Sequence, residues 1–222
     1  MNKKKSLFEY RKSLKDWHYN PSIKSVDYTY VGRFIGIEKY INIIEWPEMT
    51  SGVSFPVEGK KVDKFSFPEL QKQDNKRWGY TPESTRKYHL FDNIPNKFLE
   101  IGELTGLSDY SVSLLKQPPG ATNPWHYDTH FALGQKTNST EEYLEKNSRR
   151  YLIMLEDWHW GHFIQIGNNV LSQWKAGDIF TWPFGMWHTS ANAGIEPKLT
   201  MQVTGLITEN SLHKLSTFKI KV

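Results

Sequence analysis

The chain has 222 residues and no cysteine. Disulfides and thiolate metal sites are therefore excluded, and a reducing, cytoplasmic setting is the expectation. There is no apolar run of about 18 residues, the minimum for a transmembrane helix, so no membrane partner is expected. Met1-Asn2-Lys3-Lys4-Lys5 has the charge of a signal-peptide start, but no apolar stretch follows, and it reads as a solvated start. Asn138-Ser139-Thr140 matches a glycosylation acceptor and, without a secretory signal, reads as a polar loop. Internal repeats are also lacking. Hydrophobic residues make up 38% and charged residues 23%, the balance of a globular chain. The length suits one domain with elaborations, or a barrel domain with an N-terminal cap.

Positive charge is unevenly placed. Residues 1–108 hold 18 Lys/Arg against 14 Asp/Glu, whereas residues 109–222 hold 10 against 10. A nucleic-acid channel would usually show a denser basic stripe in the half that carries the chemistry, so a nucleic-acid substrate is disfavoured.

The two parts differ in texture. In the first, residues 3–17 suit a short amphipathic helix, 27–37 a strand, and 38–46 a short helix ended by Pro47. Residues 50–90, rich in Lys, Pro, Ser and Gly, read mostly as loop. Pro95 opens a helix running to about Leu104, with Gly106 as its stop. From Asp109 onward, short apolar pieces alternate with turn signals. Strands are expected at Tyr110–Lys116, Arg150–Leu155, Gly161–Ile166, Val170–Trp174, Ile179–Trp182 and Leu199–Ile207. That spacing suggests a sandwich or jelly roll. Residues 131–148 break the rhythm, either as a lid or as a surface excursion with a short helix around Glu141–Lys146.

Against this background one phrase stands out. His126-Tyr127-Asp128 is answered 60 residues after Asp128 by His188. Two histidines and a carboxylate can cover one face of an octahedral Fe(II) and leave three positions open for a chelating co-substrate and O₂. On an extended strand, residues i and i+2 share a face, so His126 and Asp128 would converge on one ion, with His188 arriving from a later strand. Lys198 follows ten positions after His188 and starts the alternating strand Leu199-Thr200-Met201-Gln202-Val203. It could pair with the far carboxylate of a dicarboxylate chelator, or be an exposed lysine after the Ile195-Glu196-Pro197 turn.

The ordered set His126-x-Asp128, His188 and Lys198 resembles the Fe(II)- and 2-oxoglutarate-dependent oxygenases. The likeness runs from about 109 to 205. Lysine at 198 is similar to the collagen prolyl hydroxylases. The run Trp174-Lys175-Ala176-Gly177-Asp178, with Asn192-Ala193-Gly194, looks more like the aspartyl/asparaginyl β-hydroxylase branch. The resemblance implies a mainly β chain with flanking helices, built on a double-stranded β-helix (jelly roll, cupin-like) core at 109–208. Residues 1–108 would be an extension packed on that core, and 209–222 a tail. It also implies that His126, Asp128 and His188 hold Fe(II), with Lys198 on the C5 carboxylate of 2-oxoglutarate. The reaction implied is hydroxylation of a small-molecule or peptide substrate, a peptide or amino-acid side chain being favoured, with release of succinate and CO₂. Halogenating relatives lack the carboxylate, so Asp128 favours hydroxylation.

The resemblance also implies further positions: Arg150 opens the strand where related enzymes often place a basic or polar co-substrate contact, and Gln117, ending the strand before the Pro118-Pro119-Gly120 turn, is a candidate hydrogen-bonding position for 2-oxoglutarate. Strand geometry adds that only one of Arg149 and Arg150 can face inward. Arg150 or Gln117 could instead be a barrel-rim side chain. His130 is four residues from His126, but the strand reading argues against its ligating. His159 and His162 suit core or rim positions better than a second metal site. Trp125, Trp182 and Trp187 flank the triad, as a water-excluding wall or as core packing. Two other readings remain open: a cupin-type metalloenzyme that does not use 2-oxoglutarate, and a non-catalytic β-sandwich binding module. Nucleic-acid dealkylation is a third. No sequence feature sets the oligomeric state.

Overall fold

The computed structural model describes residues 28–51, 75–214 and 218–222. The expected helix at 3–17 lies outside them, as does most of the stretch from 52 to 74.

Eight consecutive strands form the frame: β4 (Ser108–Gln117), β5 (Thr122–His126), β6 (Ser148–Met154), β7 (His162–Ile166), β8 (Asn169–Leu171), β9 (Asp178–Thr181), β10 (His188–Asn192) and β11 (Lys198–Leu206). Apart from β7 and β8, which are neighbours in the same sheet, they alternate between two sheets. One has the order β9-β6-β11-β4 and the other β5-β10-β7-β8. This path, in which the chain crosses from sheet to sheet and returns beside its earlier strands, is the double-stranded β-helix, or jelly roll. The two sheets stay separate rather than closing into one barrel.

Four more strands widen the first sheet: β1 (Thr29–Ile35) and β12 (Phe218–Lys221) beside β9, and β3 (Arg86–Leu90) and β2 (Thr50–Ser51) beside β4. The fold is thus mainly β with flanking helices, three of them α-helical among the described residues: α1 (Asn96–Glu103), α2 (Phe131–Thr137) and α3 (Glu141–Asn147). None of the described helices is long and apolar enough to cross a membrane.

The period-2 alternation of β11 shows why the large sheet sits where it does. Leu199, Met201 and Val203 face one side, where they pack with Val112, Leu114, Tyr151, Ile153, Phe34, Phe98 and Ile101. The opposite face carries Lys198, Thr200 and Gln202 and looks toward the small sheet. Between the sheets a second core joins Leu152, Met154, Phe180 and Trp182 of the large sheet to Ile164, Ile166 and Leu171 of the small one. Burying each such side chain contributes about 1.5–3 kcal/mol. The large sheet thus contributes apolar side chains to a core on each of its faces.

Several expectations need correction. Of the stretch expected mostly as loop at 50–90, residues 52–74 lie outside the described residues, and the described part carries a strand that was not expected, β3, which pairs with β4, Tyr88 opposite Lys116. The segment expected as a helix at 38–46 is a 3-10 helix, Ile37–Ile43, that ends before Pro47. Residues 131–148 contain two helices, not one, and these are anchored: Leu133 and Leu144 are buried, and Lys136 Nζ donates to the carbonyls of Asp109 and Tyr110. Helix α1 begins after Pro95, and Gly106, at φ 69°, takes the left-handed turn that follows it.

The run Lys175-Ala176-Gly177-Asp178 has a structural task. It forms the tight entry to β9 and holds β1 in place. Asp178 Oδ2 accepts from Lys175 N at 2.8 Å, while Oδ1 accepts from Arg33 Nε at 2.7 Å. Gly177 sits at φ 83°, and a Cβ built there would run into the carbonyl of Phe34. Gly177→Ala should therefore cost about 2–4 kcal/mol, read as a fall of roughly 5–15 °C in Tm. Gly185→Ala is the control: φ is 75° there, but nothing lies within 4 Å of the added carbon, so only the backbone strain of roughly 1–2 kcal/mol remains. Equal losses at the two positions would refute the steric account.

Candidate metal centre

The small sheet brings the two histidines together. In the pairing of β5 with β10, His188 stands directly opposite His126, and the ring centroids are 4.2 Å apart. Asp128 comes from the loop just after β5, not from the strand itself. The expectation that His126 and Asp128 share a strand face is thus corrected: the strand ends at His126, and the turn that follows swings the carboxylate in. Ligand atoms of His126, Asp128 and His188 all lie within 4.8 Å of one another, and no other such group occurs among the described residues.

Hydrogen bonds fix the state of both imidazoles. His126 Nδ1 lies 2.7 Å from the carbonyl of Pro124, and His188 Nδ1 lies 2.9 Å from that of Met186. A carbonyl only accepts, so each Nδ1 carries the proton and each Nε2 presents a lone pair. Metal-bound histidines are commonly oriented in this way. Burial pushes the His126 pKa down to about 3 and lowers that of His188 as well, so both rings are neutral at neutral pH.

Asp128 is the negative centre. Burial is the largest single influence and would raise its pKa, but the Arg150 guanidinium together with His188, His126 and His130 outweighs it and holds the carboxyl well below the usual carboxylate range. Arg150 Nη1 meets Asp128 Oδ1 at 2.6 Å. The other oxygen, Oδ2, is buried with no hydrogen-bond partner and sits 3.5 Å from His188 Nε2. A buried carboxylate oxygen without a donor is costly unless something cationic meets it. Two neutral nitrogens and this oxygen form the donor set that a borderline or hard divalent ion requires. The residues present therefore fit a bound metal.

The structure places the remaining candidates as follows. Arg150 and Arg149 do face opposite ways: Arg150 turns toward Asp128 and bonds Thr204 Oγ1 at 2.8 Å, while Arg149 reaches the carbonyl of Trp182. Two of the Arg150 nitrogens, Nη1 and Nε, are thus engaged by Asp128 and Thr204. Gln117 and Lys198 pair across β4 and β11 and line one pocket with His188. Gln117 Nε2 donates to the carbonyl of Ala121 at 3.1 Å. Lys198 is 3% exposed, and its Nζ donates to the carbonyls of Phe163 and Ala191 at 3.1 and 3.2 Å. Burial lowers its pKa to about 7, and among the described residues no carboxylate pairs with it.

His130 is buried and bonds Ser148 Oγ at 2.7 Å, and His162 Nε2 bonds the carbonyl of Glu196 at 2.8 Å. Both are hydrogen-bonded core histidines. Trp182 packs 4.8 Å from the His188 ring and belongs to the inter-sheet core, so it serves packing and shields the site at once. Trp187 stacks edge-on against Tyr127, and Trp125 is half-buried.

Sequence reasoning missed Lys87. It lines the same pocket from β3 and feels the charges of Arg150 and Asp128. Its signal was faint: the Lys87/His89 and Tyr88/Leu90 alternation is short and sits in a stretch dominated by loop-forming residues.

No family model and no curated protein matches the chain. Among solved structures, weak likenesses link it to cupin proteins. A sugar phosphate isomerase of a cupin superfamily from Silicibacter pomeroyi is 16% identical at TM-score 0.34, covering 54% of this chain and 59% of that one. A predicted oxalate decarboxylase from Thermotoga maritima is 15% identical at TM-score 0.34, covering 55% and 82%. The Cnp3 cupin domain of Schizosaccharomyces pombe is 15% identical at TM-score 0.32, covering 50% and 66%. The fold assignment rests on the strand order itself.

Anaerobic loading with Fe(II) should give one ion per chain, read by metal analysis after desalting. His126→Ala or His188→Ala should lower the affinity at least a hundredfold, and Arg150→Leu about 10–100-fold through loss of carboxylate orientation. Stoichiometric iron retained in His126→Ala would show that the triad is not the site.

Proposed function

We propose that the chain is a metal-dependent enzyme and, more finely, an Fe(II)- and 2-oxoglutarate-dependent dioxygenase that hydroxylates a small-molecule or peptide substrate. The observation that carries the finer reading is Lys198, a buried cation with no acidic partner, in the pocket that also contains His188. Burying an ammonium is expensive unless a partner compensates it. A carboxylate arriving with a ligand would do so.

Spacing supports this. Lys198 Nζ bonds the carbonyl of Ala191, three residues beyond His188 on β10. At about 3.3 Å per residue the two points are roughly 10 Å apart. A five-carbon dicarboxylate can lie in that interval, with one carboxylate at Lys198 and its keto acid end at the triad.

Bound together at the triad, Fe(II), 2-oxoglutarate and O₂ supply an oxidative decarboxylation in which one oxygen atom enters succinate, one enters the substrate C–H bond as hydroxyl, and CO₂ leaves. The chain's own residues do the rest. His126 and His188 offer lone pairs at Nε2. Arg150 fixes Asp128 through Oδ1 and leaves Oδ2 for the ion. Lys198 and Gln117 orient the co-substrate from the large sheet. Trp182 and Leu152 exclude water from the reacting end, which suppresses side reactions.

A cupin-type metalloenzyme without 2-oxoglutarate is the second reading. The strand order and the triad serve it equally well, and Lys198 is what separates the two.

Iron-dependent conversion of 2-oxoglutarate to succinate is the direct test. Its absence across a broad substrate panel, together with no binding of 2-oxoglutarate to the metal-loaded protein, would leave the cupin reading in possession. Titration gives a second check. Lys198 is charged below pH of about 7 in the free protein and neutral above it. The affinity for 2-oxoglutarate should thus be full below pH 7 and fall as pH rises, approaching tenfold per unit. Lys198→Met should abolish that dependence along with most of the affinity. An affinity flat from pH 6 to 9 would exclude Lys198 as the anchor.

A further inference from the structure

The pocket that holds Lys198 carries more positive charge than one dicarboxylate needs. Three of its lining residues are Arg86, Lys87 and Lys198, and no Asp or Glu lines it. Lys87 is in line with the co-substrate residues. Lys198 pairs with Gln117 across β11 and β4, and the register that sets Tyr88 opposite Lys116 brings Lys87 next in line beside Gln117. Adjacent strands lie about 4.8 Å apart, so Lys87 is two strands, or roughly 10 Å, from Lys198 along this row.

Lys87 is half-buried, and its ammonium makes no hydrogen bond or ion pair among the described residues. Arg86 is partly engaged: its Nη2 donates to the carbonyl of Pro119 at 3.0 Å, and Glu83 lies close enough to interact. Asp128 is already matched by Arg150. A divalent ion and a dianionic co-substrate cancel each other. Lys198 receives the far carboxylate of that co-substrate, and Lys87 is the cation beyond the interval assigned to it. A half-buried ammonium in a low-dielectric cleft, where the carboxylate that acts on it, Asp128, is already paired with Arg150, raises the local concentration of anions and rewards their binding.

We propose that the molecule oxidised at this site is a small one bearing a carboxylate or phosphate group, and that Lys87 binds that group. The inference rests on the reading of the triad as a metal centre with 2-oxoglutarate beside it. It favours a free acid over an internal peptide residue. It also gives β3 a function: the strand widens the large sheet and delivers the residue that selects the substrate.

Calorimetric titration tests this without turnover. The full chain is loaded with Zn(II), which is redox-inert, and then with 2-oxoglutarate, whose Kd is recorded. Phenylacetate, phenyl phosphate and the neutral phenylacetamide are added as probes. At least one anionic probe should bind more tightly than the amide, and added salt should shrink the difference. Lys87→Met should weaken the anionic probe roughly tenfold, the loss of one charge-assisted contact, and leave the 2-oxoglutarate Kd within about twofold. Lys87→Arg should keep the preference, and Lys198→Met should show the reverse pattern. Equal affinities for all three probes would overturn the proposal. So would a Lys87→Met variant that loses 2-oxoglutarate rather than the probe. If the wild-type chain fails to bind 2-oxoglutarate at all, the dioxygenase reading falls, while the probes titrated into the Zn(II)-loaded chain still decide whether Lys87 is an anion-binding residue.

Discussion

The ion pair between Arg150 and Asp128 ties the site together. Arg150 belongs to β6 of the large sheet; Asp128 hangs from the end of β5 in the small one. Their contact at 2.6 Å bridges the two layers where the metal ligands meet. A buried pair of this kind adds little net stability, because desolvation offsets most of the attraction. Its consequence is geometric. Without the guanidinium, a buried carboxylate so close to two neutral imidazoles would tend to take up a proton, since burial alone raises its pKa. A protonated acid is a poor metal ligand. The pair keeps the charge in place and points it.

This dependence also shows what the sequence could and could not reveal. The alternation of Leu199, Met201 and Val203 with Lys198, Thr200 and Gln202 is a local signal, and it located β11; whether Lys198 was buried or exposed was left open. The motif His126-x-Asp128 with His188 was legible as a set of residue types in order, although the geometry inferred for it was not right. A strand was assumed through 128, whereas the chain leaves β5 at His126. Parity showed that Arg149 and Arg150 face opposite ways, but not which of them turns inward. The partner of Arg150 was not legible either, because that contact joins residues from different sheets and depends on the loop path after β5. Strand β3 was obscured for a related reason: five residues, Arg86–Leu90, form a strand only because β4 offers them an edge. Non-local pairing leaves little trace in composition.

The same non-local pairing explains how the pocket acquires its charge. The row Lys198, Gln117 and Lys87 is drawn from three strands far apart in sequence. Two of its members are basic, yet residues 109–222 are neutral overall. The positive character of the site thus arises where the neutral half of the chain meets a strand from the basic half. Averaging charge over segments hid this, and weighing the nucleic-acid question on segment averages alone understated how basic the pocket is. Enclosure between two sheets still favours a small ligand over a polymer, since the lining residues come from the inner faces of both layers.

Arg150 finally limits what Asp128 can offer an ion. A carboxylate can meet a cation through one oxygen or two. Here Oδ1 is committed to Arg150, and Oδ2 alone is without a donor. The carboxylate would then offer one oxygen to an ion, as each imidazole offers one Nε2. Were Arg150 absent, both carboxylate oxygens would be free to chelate. Arg150 thus shapes the donor set without belonging to it, and the residue type at 150 matters to the site as the two histidines do.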